Sequence, residues 1–319
     1  MPSTIDVAFT LAVASLVGCA PPPAHPFSGQ LPPFEAGARF IVAGDLQRTS
    51  WLEFWRESND SERARVVAAL ASERPAFLAL TGDLVFDGSS AAKWADFDAL
   101  MTPVRDAGTP VFAAFGNHEL WGGRAGDALF FARFPHLARK RWFVIAFGPL
   151  RIVTLDSNPG ALTDAEQREQ LGFYEGTLAA WDDDPAVQGV AVLLHHPPYT
   201  NSTVTGDEPH VQRHFVPPFA RAKKTLLMQS GHVHSYERYQ RWGKTLVVSG
   251  GGGGPRAALD TGPGRRHRDD LFDGPSLRDF NYVVYTMSAA GLAAEVRGLA
   301  KGKATWRTLD RFTLAWSRP

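Results

Sequence analysis

Residues 225–234 read TLLMQSGHVH, an apolar run followed within a few positions by a glycine and two histidines. A short continuous apolar run is typical of a strand that is covered on both faces of its sheet. The turn after it would lie at the carboxyl end of that strand, which is where open α/β sheets bind their ligands. This stretch therefore predicts both an α/β sheet and a site at one edge of it.

The same arrangement occurs at four other places along the chain. Apolar runs at 40–43, 77–80, 111–115 and 190–194 are followed, in this order, by GDLQ (44–47), GD (82–83), GNHE (116–119) and HHP (195–197). Parallel strands bring their carboxyl ends to a common edge, so folding should gather polar side chains that are far apart in sequence. These side chains are Asp45, Asp83, Asn117, His195 and His232.

Strand and helix patterns alternate along most of the chain, which predicts a layered α/β fold. One more apolar run lies at 152–155, and amphipathic stretches at about 61–73, 91–107, 163–182 and 208–222 predict helices. Asn59 and Glu62 are spaced as a capping box at the start of the first helix.

The C-terminal part has a different pattern. A strand at 245–249 runs into the glycines 250–254, which predict a tight backbone passage beside the site. Residues 256–279 predict one long loop. Residues 281–288, 292–299 and 305–314 then predict a β-meander that adds antiparallel strands to a second sheet.

Composition limits the classes of partner. The 319 residues carry 33 Lys and Arg against 33 Asp and Glu, so the formal net charge is zero. A nucleic-acid-binding surface needs a basic excess, so we expect no nucleic-acid partner. Hydrophobic residues make up 44% of the chain, which is enough for a sizeable core. We expect a single domain over 37–317, and the pattern does not fix an oligomeric state.

The single cysteine, Cys19, follows a short apolar stretch at 7–18. That stretch is too short to cross a bilayer. With the proline-rich residues behind it, the segment is similar to a bacterial lipoprotein signal, in which Cys19 is lipidated and becomes the mature N-terminus. We therefore expect a signal peptide at 1–19, a tether at 20–36, membrane contact through the lipid alone, and a periplasmic or cell-surface location. An ordinary secretory signal and a disordered apolar N-terminus are the alternatives.

Carboxylates, an amide and imidazoles at one sheet edge suit a pair of divalent metal ions. Hydrolysis of a phosphoester at neutral pH needs a deprotonated water and neutralisation of anionic oxygens, and two ions about 3.5–4 Å apart supply both. Such a pair needs one bridging carboxylate and a mixture of oxygen and nitrogen ligands. Asp83 is the natural candidate for the bridge.

Over residues 38–255 the sequence resembles the calcineurin-like metallophosphoesterase superfamily, and within it the purple acid phosphatase branch. The strings that carry the resemblance are GNHE (116–119), HHP (195–197), SGHVHSYER (230–238) and the glycines 250–254. The resemblance implies an α/β fold, a four-layer αββα sandwich of two mixed sheets. It also implies hydrolysis of phosphorylated small molecules, phosphomonoesters first, by attack of a metal-bridging hydroxide at a dinuclear site.

The resemblance also implies individual roles. Asp45 and His234 would bind the first metal ion, Asp83 would bridge, and Asn117, His195 and His232 would bind the second ion. His118 would protonate the leaving-group oxygen or hold the phosphate. His196 and Tyr199 are candidates for substrate contacts, although His196 could instead be a packing neighbour of His195.

Two positions depart from the family pattern. Gln47 stands where most members have histidine, and Phe86 stands where purple acid phosphatases have a metal-binding tyrosine. Gln47 could offer its amide oxygen to the first ion or act as a hydrogen-bonding neighbour. A neutral oxygen ligand favours Mn²⁺ or Fe²⁺, with Zn²⁺ still possible. Phe86 cannot produce the tyrosine-to-iron charge-transfer colour.

These departures leave two alternative functions open. A phosphodiesterase or nucleotide pyrophosphatase of the same fold is the first, because a minority branch that cleaves nucleotide diphosphates looks similar at Gln47. A surface binding protein without turnover is the second, because Gln47 and Phe86 would hold the first metal ion poorly.

Overall fold

The computed structural model describes residues 26–317, so the predicted signal peptide and Cys19 lie outside the described residues. The strands are β1 (Arg39–Ala43), β2 (Phe77–Leu80), β3 (Val111–Ala113), β4 (Phe143–Phe147), β5 (Leu150–Thr154), β6 (Gly189–Leu193), β7 (Thr225–Ser230), β8 (Tyr236–Arg241), β9 (Lys244–Ser249), β10 (Phe280–Ser288), β11 (Gly291–Leu299) and β12 (Trp306–Ala315). They form two six-stranded sheets, ordered β12-β11-β10-β1-β2-β3 and β4-β5-β6-β7-β9-β8. Both sheets mix parallel and antiparallel pairs.

Helices cover the outer faces of the two sheets. They are α1 (Asp60–Ser72), α2 (Ala91–Leu100), α3 (Thr102–Asp106), α4 (Asp127–Arg133), α5 (Asp164–Asp183), α6 (Pro209–His214) and α7 (Val216–Arg221). The strands β1, β2 and β6 are almost entirely buried, as their uninterrupted apolar runs predict. Within residues 26–317, no helix has the length and apolar character needed to cross a bilayer.

The inner faces of the sheets pack on each other. Phe77 of β2 stacks on Phe40 of β1, with ring centres 5.0 Å apart, and meets Phe147 of β4 edge-on at 5.4 Å. Tyr285 of β10 donates its hydroxyl to Gln229 Oε1 of β7 at 2.6 Å, so this buried phenol between the sheets is hydrogen-bonded. Two sheets face to face with helices outside confirm the predicted four-layer αββα sandwich.

The meander differs from the prediction in its location. β10 pairs antiparallel with β1, and β11 and β12 follow it, so all three strands extend the first sheet rather than a second one. Tyr285 of β10 stacks on Phe40 at 5.0 Å, which adds an aromatic contact to that pairing. The chain therefore returns from the second sheet to complete the first.

Prolines divide two of the predicted helices. The stretch at 91–107 is two helices because Pro103 lacks the N–H that would continue α2, and α3 begins around it. The stretch at 208–222 is divided in the same way before Pro217. The predicted capping box of α1 is wrong, since the Asn59 side chain donates to Gly254 O at 3.0 Å and Glu62 accepts from Gly302 N at 2.8 Å.

Candidate metal centre

The candidate ligands follow strand ends, as predicted, and several lie on strained backbone. Asp45 follows β1, Asp83 follows β2, and His232 follows β7. All three have a positive φ, of 62°, 53° and 65° respectively. A left-handed conformation costs a non-glycine residue roughly 1–2 kcal/mol, and such residues concentrate at functional sites. The surrounding contacts therefore hold these side chains in directions that relaxed turns would not give them.

His195 contributes one of four acceptor atoms that lie close together. Its Nε2 lies 3.0 Å from Asn117 Oδ1, 3.1 Å from His232 Nδ1 and 3.3 Å from Asp83 Oδ2. Its Nδ1 faces the carbonyl of Thr81 at 2.9 Å, which fixes a proton on that nitrogen and turns Nε2 toward the others. Two nitrogens and two oxygens that face a common point form the donor set of a divalent metal ion.

A second set of acceptors lies next to the first. His234 Nε2 lies 3.4 Å from Asp45 Oδ1, and His234 Nδ1 faces Pro255 O at 2.8 Å, so the imidazole is oriented as His195 is. The Gln47 NH₂ group donates to the backbone carbonyls of Asp83 (2.8 Å) and Asp45 (3.3 Å). In this orientation the amide oxygen of Gln47 lies 3.1 Å from His234 Nε2. This orientation avoids a carbonyl–carbonyl contact and lets Gln47 offer an oxygen to the first position.

The charges of this cluster fit a bound cation. Burial raises the pKa of Asp45. Burial also opposes ionisation of Asp83, but the imidazoles of His195 and His118 outweigh it and hold the pKa of Asp83 well below its usual range. Despite burial, Asp83 raises the pKa of His195 to about 9. A proton on His195 Nε2 thus takes the place that a divalent ion would occupy, and metal binding would release it.

His118 lies at the side of the centre rather than inside it. Its Nδ1 faces Phe86 O at 2.7 Å, and its Nε2 lies 3.9 Å from Asp83 Oδ2. The ring contacts Phe86 and Trp121, with centroids 5.0 Å and 4.5 Å away. The Phe86 side chain therefore packs on His118, and the second imidazole nitrogen of His118 points toward the cluster.

The two predicted substrate contacts have different surroundings. His196 packs on His232 at 4.5 Å between ring centres, exchanges hydrogen bonds with Ser157, and lines a cleft of about 460 Å³ beside Asn117. The Tyr199 ring lies under the guanidinium of Arg241, 3.8 Å away, near the distal end of β8. His196 is thus adjacent to the candidate metal cluster, while the Tyr199 ring contacts the β8–β9 hairpin and His267.

Glu119 is a site residue to which the sequence reasoning gave no role. Its buried carboxylate accepts from the backbone N–H groups of Asp83 (2.8 Å), Leu84 (2.7 Å), Val85 (3.3 Å) and Gly116 (2.7 Å). It therefore joins the loops that follow β2 and β3. Burial and the nearby Asp83 charge raise the pKa of Glu119 to about 7. Its place in the GNHE string was the available signal.

The glycine run passes directly behind the first position, as predicted. A Cβ on Gly250 would lie 2.6 Å from Asp45 Oδ2, and one on Gly254 would lie 2.7 Å from His234 Cε1. Gly254 N also donates to Asp45 O at 3.0 Å. Side chains at these positions would displace two candidate ligands, so the close approach requires glycine.

A comparison with known protein families gives a result that agrees with the fold and with the cluster of candidate ligands. The model of the calcineurin-like phosphoesterase family matches residues 38–236, which is more than half of the chain. The chain therefore belongs to the calcineurin-like phosphoesterase family, a family of phosphoester hydrolases.

The chain is also similar to individual proteins. Purple acid phosphatase 22 of Arabidopsis thaliana is 25% identical over 232 residues, 67% of this chain and 48% of that protein. A probable cyclic nucleotide phosphodiesterase of Synechococcus is 29% identical over 174 residues, 54% of this chain and 62% of that protein. The solved structure of a purple acid phosphatase from yellow lupin (Lupinus luteus) has a TM-score of 0.67 at 21% identity, over 92% of this chain and 55% of that one. The chain spans about half of the length of these purple acid phosphatases.

Proposed function

We propose that this chain is a two-metal phosphoester hydrolase that prefers phosphomonoesters. The observation that supports the proposal is the pair of acceptor sets that meet at Asp83. Asp45, Gln47 and His234 would hold the first ion, and Asn117, His195 and His232 would hold the second ion. Asp83 would be shared between the ions, since its Oδ2 lies 3.3 Å from His195 Nε2 and the Gln47 amide lies on its other side.

Two divalent ions would supply an activated water and neutralise charge on the phosphoryl oxygens. The residues of the chain then supply orientation and a proton. His118 is fixed through Nδ1 by the Phe86 carbonyl, so its Nε2 is the atom that gives a proton to the leaving-group oxygen or holds a phosphoryl oxygen. The cleft beside Asn117 and His196 would receive the ester.

The mixed donor set favours a borderline ion that accepts oxygen as readily as nitrogen. Asp45, Asp83 and the Gln47 amide oxygen make the first position rich in oxygen. We therefore propose Mn²⁺ or Fe²⁺ there ahead of Zn²⁺.

Phosphodiester or nucleotide diphosphate cleavage is the second candidate function. Gln47 in the first position favours it, and a relative named as a probable cyclic nucleotide phosphodiesterase matches 54% of this chain. If the protein hydrolyses none of these esters, we would instead infer a non-catalytic binding protein.

The test is a metal-reconstitution assay with a substrate panel. The purified full chain is stripped with a chelator, reloaded separately with Mn²⁺, Fe²⁺, Zn²⁺ or Mg²⁺, and assayed on p-nitrophenyl phosphate, bis-p-nitrophenyl phosphate and a nucleotide diphosphate. Metal-restored hydrolysis that is fastest on the monoester is expected. Faster cleavage of the diester or diphosphate would select the second candidate, and no hydrolysis with any metal would support the binding protein.

We also propose that the chain is exported and lipidated at Cys19, on the strength of the signal-like residues 7–19. Incorporation of labelled palmitate into the wild type, and its loss in Cys19→Ala, are expected in a bacterial host. A secreted, unlabelled wild-type protein would contradict the lipid anchor and favour an ordinary signal peptide.

A further inference from the structure

A short turn after the first candidate ligands presents a group of apolar side chains to solvent. Trp51, Leu52, Phe54 and Trp55 are 80%, 53%, 86% and 70% exposed. We call residues 51–55 the aromatic turn. Large apolar side chains that are grouped and exposed in this way mark interaction or ligand-binding surfaces, whereas single exposed ones do not.

Polar contacts, rather than burial of its own side chains, hold the aromatic turn in place. Ser50 and Glu53 form a capping box around its single helical turn. Glu53 pairs with Arg56 at 2.8 Å, and Thr49 donates its hydroxyl to Glu57 O at 2.6 Å across the base of the loop. The backbone is therefore fixed while the apolar side chains stay outside, which is an arrangement suited to presenting them.

Both ends of this loop are attached to the candidate metal centre. At its start, Gln47 faces the first metal position. At its end, Arg56 donates to Pro255 O at 2.9 Å, and the same carbonyl faces His234 Nδ1 at 2.8 Å. Trp51 is only four residues beyond Gln47, so the Cα atoms of these two residues lie within about 14 Å of each other. The turn thus belongs to the rim of the site on the side of the first ion.

We infer that the aromatic turn binds a planar aromatic group of the substrate at the rim beside the first metal position. This inference rests on the proposed phosphoester hydrolysis. Indole and phenyl rings stack on flat rings whatever their hydrogen-bonding pattern, so the class is aryl phosphates and phosphate esters of heteroaromatic nucleosides. The phosphoryl group would lie at the metal centre and the ring would lie against Trp51, Phe54 and Trp55.

A membrane is a less suitable partner for the same side chains. The neighbouring arginines are paired with acids, Arg48 with Asp60 at 2.5 Å and Arg56 with Glu53 at 2.8 Å, so they do not form a basic surface for anionic lipid. The chain also enters the fold at the opposite end of the sheet. Ser28 O accepts from Val111 N at the amino end of β3, whereas the site lies beyond the carboxyl ends of the strands.

The test compares a variant of the full chain with a matched control on three monoesters. The variant is Trp51→Ala/Phe54→Ala/Trp55→Ala, and the control is Trp242→Ala, an aromatic residue 48% exposed at the tip of the β8–β9 hairpin, away from the site. The substrates are 1-naphthyl phosphate, adenosine 5′-phosphate and glycerol 2-phosphate, each with the metal-loaded protein. Trp55→Ala alone serves as a second variant if the triple variant is poorly expressed.

The expected result is a loss confined to aromatic substrates. For the triple variant, kcat/KM should fall about tenfold or more on 1-naphthyl phosphate or adenosine 5′-phosphate, through KM. On glycerol 2-phosphate, kcat/KM of the triple variant should change by less than about twofold. The control Trp242→Ala should change by less than about twofold on all three substrates. If kcat/KM falls on the naphthyl ester alone, the aromatic turn binds a ring that is attached directly to the phosphate. If it falls on the nucleotide alone, the turn binds a ring that is separated from the phosphate by a sugar.

Other outcomes would overturn the inference while leaving the proposed function intact. One is an equal change on all three esters in the triple variant. Another is no kinetic change together with variant-dependent binding to phosphatidylcholine–phosphatidylglycerol vesicles, or with variant-dependent dimerisation in sedimentation velocity. Failure of the wild type to hydrolyse any ester would instead contradict the proposed phosphoester hydrolysis itself.

Discussion

At the scale of single residues, strain and hydrogen bonding together explain where the candidate ligands point. Asp45, Asp83 and His232 occupy left-handed backbone, and Asp83 N donates to the buried Glu119 carboxylate at 2.8 Å. The strand-end rule was enough to select these candidate ligands from the sequence, and the structure brings them to one edge. It could not select Glu119, because the role of that side chain is to bind backbone N–H groups of a loop whose path is set only by the tertiary fold.

Two substitutions should separate metal binding from proton transfer. Asp83→Ala removes the carboxylate that both acceptor sets share, so both activity and metal content should fall. His118→Ala should lower kcat by about 10²–10⁴-fold while metal content stays at the wild-type level, because its ring lies beside the cluster. Hydrolysis rates and metal analysis of both proteins are the measurements.

The two proteins also serve as controls for each other. Full activity in Asp83→Ala would contradict the shared carboxylate. Loss of metal in His118→Ala would make His118 a ligand or a structural support of one.

At the scale of elements, the loop of glycines after β9 shapes the candidate site as much as the strands do. Its backbone passes against Asp45 and His234, and its Gly254 carbonyl accepts from Asn59 at the start of α1. The sequence predicted the close passage, because consecutive glycines without a following Lys-Ser/Thr do not match a phosphate loop. It did not predict that Asn59 would bind this loop instead of capping α1.

Gly254→Ala should weaken the first metal position. The new Cβ would lie 2.7 Å from His234 Cε1, so the imidazole must move. Affinity for the first ion should fall about 10–100-fold, as it does when groups that orient metal ligands are changed. Metal titration of the stripped protein measures it. Gly264→Ala is the matched control, since no described heavy atom lies within 4 Å of its added Cβ, and equal affinity in both variants would contradict the prediction.

The start of α5 should make stability depend on pH. Glu166 accepts from Thr163 N at 2.8 Å and from Arg124 at 2.7 Å, and these contacts lower its pKa from 4.5 to about 2. A lowered carboxyl pKa stabilises the fold above the unfolded value and loses that contribution as pH falls toward the folded value. Glu166→Gln should therefore reduce the unfolding free energy by about 0.5 kcal/mol at neutral pH, since its ion pair with Arg124 lies at the surface and solvent screens it.

The measurement for α5 is urea denaturation at several pH values. The difference between Glu166→Gln and the wild type should shrink as pH falls from about 5 to about 2, because the carboxyl pKa is 4.5 in the unfolded chain and about 2 in the fold. Glu169→Gln, which changes an exposed residue of the same helix, should show no such trend. A difference that is constant with pH would show that the Glu166 charge does not stabilise the helix start.

At the scale of the whole molecule, local patterns predicted the layers but not all of the strand order. Uninterrupted apolar runs identified the parallel strands, and strand ends identified the edge that carries the site. The meander was assigned to the wrong sheet, because antiparallel strands alternate in the same way whichever sheet they join. Its position beside β1 depends on contacts between distant residues, such as Phe40 with Tyr285.

The same long-range closure brings the candidate metal ligands together. Asp45 and Asp83 follow strands of the first sheet, while His195 and His232 follow strands of the second. The candidate centre therefore lies where the carboxyl ends of both sheets meet, and each proposed metal position would take ligands from both. The domain boundaries 37–317 stay a prediction. Phe27 lies before residue 37 and packs on Phe97 and Phe134.

The central claim is that two metal ions share Asp83. Electron paramagnetic resonance of the manganese-loaded full chain, with metal content measured on the same sample, tests it most directly. Two ions per chain with the spectrum of an exchange-coupled pair are predicted, since a bridging carboxylate holds ions about 3.5–4 Å apart. One ion per chain, or two ions with the spectra of isolated Mn²⁺, would contradict the shared site.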